Sequence, residues 1–393
     1  MSVVVRKLAL PLLIAGGAFP LAAQAATITG WNTGNVAVGP VVADGETGFS
    51  VVYDRAPLAL GAVTNGRIAY TAPEANSPGM MADPTPFSSA GQVKSGCIRA
   101  SSTTTCDGDF QSGKRFKEQL TGLGAVDLVF DVDPQGVQPT DSVGYQVFHR
   151  LVNLTGQRIG EFSIELGFGV GDGFTRSSAA DGVSFSTTFQ SGPDDANAFS
   201  QFPFGLFGDA STNPNFTLDG FFASERSGIA LSMGEDVIAG SGVTGPYASL
   251  FGDWMSQDMA PEGLFWDNDG DASTDAILMA WLNQDGLWEV RRDVDPNDQF
   301  SAVSAAAQVL GTDYTAVETL LGVSLEKGII EDLANLNVNY AINLGGQVNF
   351  SDFTLRVVSV PAAIPLPMSG PLLLGALGLM GFVRRRRRAA TAT

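Results

Sequence analysis

Histidine is almost missing: His149 is the single one in 393 residues, and cysteine occurs only twice, as Cys97 and Cys106. One imidazole excludes every mechanism or metal centre that needs two, and no H-E-x-x-H or G-x-S-x-G motif occurs. Positive charge is scarce as well, with 22 Lys and Arg against 41 Asp and Glu. A formal charge of −19 argues against nucleic acid as a partner and favours divalent cations or basic partners, although solubility in a salty setting explains it equally well. Uninterrupted apolar runs are also short, below the ~20 residues that a regular membrane-spanning helix needs.

What is present is most distinctive at the two ends. Arg6 and Lys7 precede a largely apolar run, Leu8 to Ala22, which is followed by Ala23-Gln24-Ala25. A positive segment, an apolar centre and small residues before the cut are the layout of a secretory signal over residues 1–25. The secretion machinery and signal peptidase are therefore expected partners. Near the other end, Leu372 to Val383 is apolar for 12 residues, about 18 Å as a helix, and is followed by Arg384, Arg385, Arg386, Arg387 and Arg388. Residues 361–393 are expected to hold a short transmembrane segment with a proline-broken entry, the arginines on the cytoplasmic side and the body of the chain outside.

The order Ile364-Pro365-Leu366-Pro367, a small-residue stretch, a Leu/Gly-rich span and an arginine cluster resembles the VPLPA variety of PEP-CTERM sorting signals of Gram-negative bacteria. Ile364 stands where valine is usual and Met368 where alanine is usual. The resemblance covers about thirty residues. It implies an exosortase as partner, a membrane enzyme that cleaves the tail and passes the protein to the cell surface or the exopolysaccharide matrix.

Between the ends, residues 26–360 form an exported body with 15 basic against 41 acidic residues, a formal charge of −26. Short runs alternate apolar with polar residues, among them "GFSVVYDR" (48–55), "AVDLVFDVD" (125–133), "GYQVFHRLVNLT" (144–155), "GEFSIELGFGVG" (160–171) and "VNFSDFTLRVVSV" (348–360). That period belongs to strands with one buried face, and Gly, Asp, Asn and Pro clusters between them supply turns. The expected fold is mainly β: an antiparallel β-sandwich or jelly-roll-like domain. A short helical insertion is expected between 301 and 334, where "SAVSAAAQVLG" lacks β alternation, Asp313 can cap a helix and Gly322 and Gly328 limit it. Outside the cytoplasm, Cys97 and Cys106 in "GCIRASSTTTC" are expected to close one surface disulfide.

The stretches "GNVAVGP" (34–40), "DNDGDASTDAILMAWLNQDGLWEV" (267–290) and "IEDLANLNVNYAINLG" (330–345) resemble the choice-of-anchor proteins of bacteria, in particular the type F group. The resemblance implies an exported surface domain, of unassigned activity, joined to an anchoring signal.

Three sets of side chains offer chemistry. Asp267, Asp269, Asp271 and Asp275 alternate as calcium ligands do in an EF-hand loop, but Ala272 and Leu278 replace the glycine and the bidentate glutamate. An exposed acidic turn is the competing reading of the same residues. Trp254, Trp266, Trp281 and Trp288 suit either sugar stacking in an open groove, hence a carbohydrate-binding module, or packing in a β core. Paired carboxylates can serve a glycoside hydrolase, although a choice such as Glu165 with Glu262 is arbitrary among so many. The sequence therefore favours a non-enzymatic structural or adhesive protein of the cell envelope or exopolysaccharide matrix.

Overall fold

A computed structural model of the chain describes residues 26–363, except 109–111, 140, 190–198, 202–227, 245, 271–275 and 347. The alternating runs become strands Val126–Asp133, Ile159–Phe168 and Asp352–Pro361, which lie side by side in a first sheet. Thr27–Asn32 flanks them on one edge, and Val237–Thr244 and Gly228–Met233 on the other, all antiparallel. Phe353, Leu355 and Val357, two residues apart, share one wholly buried face.

The second sheet runs Val183–Phe185, Asn335–Leu344, Tyr145–Asn153, Phe116–Leu120, Gly66–Thr71, Thr47–Val52 and Val36–Ala37. Its Ile68, Phe116, Leu151 and Val338 meet Ile28, Leu128, Phe130 and Ile164 of the first sheet in one continuous core. Apolar faces of two sheets closing on each other make the mainly β, sandwich-like architecture. Two pairings depart from the antiparallel rule. Tyr145–Asn153 runs parallel to Phe116–Leu120 and to Gly96–Ala100. Between Leu120 and Tyr145 the chain crosses to the first sheet as Val126–Asp133 and returns, and such a crossover is what parallel neighbours require.

A third sheet, ordered Ala302–Val309, Trp288–Val294, Ile277–Leu282, Glu262–Trp266 and Glu326–Ile329, leans on this body. It lends Leu278 and Trp281 to the main core, while Leu264, Trp266, Trp288 and Val290 form a smaller core with Val317 of the helix Thr315–Leu321. That helix is the expected insertion, shorter than the sequence suggests. Asp313 accepts hydrogen bonds from the Thr315 N–H (3.0 Å) and hydroxyl (2.8 Å), and Gly322 ends the helix at φ 71°. The alanine-rich "SAVSAAAQVLG" is corrected from helix to strand. Asp295 and Asp298 accept from the N–H groups of Asn297 (2.8 Å) and Phe300 (3.0 Å), closing a turn that folds Ala302–Val309 back on Trp288–Val294. Ladder pairing then overrides helix propensity.

The expected transmembrane helix is also corrected: among the described residues, no helix is long and apolar enough to cross a membrane. The longest α-helix among them, Thr315–Leu321, has 7 residues, about 10 Å against the ~30 Å of a bilayer core. The run Leu372 to Val383 on which the span was placed, the motif Ile364 to Pro367, Arg384 to Arg388 and the signal over 1–25 lie outside the described residues.

Candidate functional site

Tyr145–Asn153 is buried on both faces, not on one as its alternation suggests. Tyr145, Val147 and Leu151 enter the sandwich core, whereas Phe148 points outward and is covered by the Cys97–Cys106 disulfide. The two cysteines sit 5.9 Å apart at Cα, nine positions apart in sequence, and both are buried. Lys114 secures the loop from below, donating to the carbonyls of Cys106 and Gly108 with its ammonium 4.9 Å from the Phe148 ring. Closing so short a loop stabilises the fold by about 2–3 kcal/mol. The double variant Cys97→Ala/Cys106→Ala is therefore expected to lose that amount in urea unfolding, and reductant is expected to lower the wild type towards the variant while leaving the variant unchanged. A wild type indifferent to reductant would contradict the assignment of stability to this loop.

The single histidine lies across the sheet from this loop. His149 Nε2 is 3.0 Å from Glu118 Oε2, its Nδ1 is 3.2 Å from the Tyr340 hydroxyl, and its ring stacks on Phe116 at 4.3 Å. A carboxylate only accepts, so Nε2 carries the hydrogen and Nδ1 accepts from Tyr340. Burial pushes the Tyr340 hydroxyl well above its ordinary pKa, with the Glu118 charge adding to it. All three side chains have zero exposure, so no substrate reaches them.

Glu165 and Glu262 are not brought together as a pair. Glu165 is held by Arg176 at 2.5 Å in the first sheet, and Glu262 by Lys327 at 2.7 Å in the third. In the acidic turn, Asp267 accepts from the Gly270 N–H, three residues on, at 2.8 Å. Asp271 and Asp275 lie outside the described residues, and among the described residues no group of three or more His, Cys, Asp or Glu could hold a metal ion.

Of the two readings of the tryptophans, their burial fits packing in a β core. Trp254, Trp266, Trp281 and Trp288 are 0, 7, 4 and 2 % exposed. Trp254 donates to the Ala334 carbonyl at 2.8 Å and meets Phe162 edge-on, while Trp288 donates to the Thr312 carbonyl at 3.2 Å. Rings engaged on their faces by the core have none left for a sugar. Their clustering in sequence reflects the third sheet and its junction with the body.

Comparison of the chain with protein-family models, with curated proteins and with solved structures finds no match.

Proposed function

We propose that residues 26–360 work outside the cytoplasm as a structural or adhesive component of the cell envelope or exopolysaccharide matrix, and not as an enzyme. The observation that carries the reading is the buried Cys97–Cys106 disulfide, since such bonds persist in oxidising compartments. The signal-like residues 1–25 agree with it, and so does an acidic body suited to staying soluble among anionic polymers. The tail from Ile364 to Arg388, which resembles an exosortase signal, is the proposed sorting element.

Intact-mass analysis of protein recovered from host cells and from their extracellular matrix tests this, with and without the cognate exosortase. Loss of residues 1–25 together with an exosortase-dependent cut near Pro365 in the matrix fraction is expected. A chain that keeps Met1 and stays inside the cell would end the proposal.

A further inference from the structure

In a chain with 41 acidic residues, a buried cation should find a carboxylate. Arg115 has not: it is 7 % exposed, its Nε is buried without a hydrogen-bond partner, and among the described residues it forms no ion pair. The parallel ladder sets Arg150 beside Lys117, so alternation places both on the outer face of the second sheet, and Arg115, two residues before Lys117, reaches the same side. Arg150 gives its Nε to the Asn337 side-chain oxygen at 3.0 Å, and its positive charge also reaches the Glu331 carboxyl. Neighbouring cations are answered: Lys117 is 3.5 Å from Glu74, and Arg99 is 3.2 Å from Asp83. Burial first, and then the nearby positive charge of Arg150, pull Arg115 down to about 9. A buried charge left without a counter-charge costs several kcal/mol by general experience, and a second cation beside it adds to that cost.

We propose that Arg115 and Arg150 form a binding site for a small oxyanion of the sulfate or carboxylate class. The planar guanidinium fork matches such oxygens two at a time. With so little of Arg115 exposed, the site admits a free ion or a group projecting from a larger ligand, not a polymer backbone. The inference stands apart from the matrix role, because it rests on the two guanidinium groups alone.

Thermal melts of the purified chain at constant ionic strength test it, with chloride replaced stepwise by sulfate or by glucuronate. The wild type is expected to gain about 2 °C in a saturable manner at roughly tenfold excess over Kd. Arg115→Met and Arg150→Met are expected to lose the gain, while the control Arg55→Met, at an exposed arginine, keeps it. In chloride alone, Arg115→Met is expected to melt no lower than the wild type, since it removes an unanswered charge. A response to both anions marks a site open to sugar acids, and a response to sulfate alone marks an inorganic-ion site. Equal gains in wild type and Arg115→Met would overturn the proposal, as would no gain at all. Should neither variant fold, calorimetric titration of the wild type with sulfate decides it, and absence of saturable heat sinks it.

Discussion

Replacing Asp127 with alanine is expected to lower stability by about 3–5 kcal/mol, because it strands a largely buried guanidinium. Asp127 Oδ1 and Oδ2 take Arg356 Nε and Nη2 at 2.6 and 2.8 Å, a bidentate pair across adjacent strands of the first sheet. Asp127 Oδ2 also accepts from the Gly171 N–H, Arg356 donates to the Gly171 carbonyl, both at 2.7 Å, and the guanidinium lies 3.8 Å over Phe174. One carboxylate therefore holds a strand and a loop together. Gly171 is required at that junction: its φ is +57°, and a Cβ would stand 2.1 Å from the Asp54 carbonyl. Urea unfolding of Asp127→Ala measures the effect, and a loss under about 1 kcal/mol would mean that water replaces the carboxylate at Arg356.

An effect of similar size is expected at the opposite sheet. His149→Phe preserves ring volume but removes the donor to Glu118 Oε2, and Oε1 already has no partner. The buried carboxylate then loses its hydrogen-bond donor, a loss of about 3 kcal/mol. Glu118→Leu combined with His149→Phe should recover most of it, leaving mainly the Tyr340 hydroxyl without its acceptor, about 1 kcal/mol. A double-mutant cycle reads this directly. If the double variant were no more stable than His149→Phe alone, the network would not be where the stability resides.

The sequence makes the strands legible wherever one face is apolar, as in "AVDLVFDVD", because period-2 alternation is a local signal. It also shows Gly322 as the end of a helix, since capping is local chemistry, whereas the N-cap is Tyr314 and Asp313 supports it from one residue earlier. Ala302–Val309 is hidden because its ladder partner and the Asp295–Ser301 turn decide its conformation against its composition. Arg115 sits in "QSGKRFKEQL", which looks like a solvated basic segment. Only the pairing of Phe116–Leu120 with a strand some thirty residues later buries it. The four tryptophans carry no local mark that separates a core from a groove.

The strand Asp352–Pro361 occupies the middle of the first sheet, yet it is the last strand of the body to be synthesised. Until it emerges, Val126–Asp133 and Ile159–Phe168 have no neighbour between them, and each shows a raw hydrogen-bonding edge. A chain interrupted anywhere before residue 352 thus cannot close its sheet. A product terminated before residue 352 therefore presents unpaired edges to chaperones and proteases instead of passing as a finished domain.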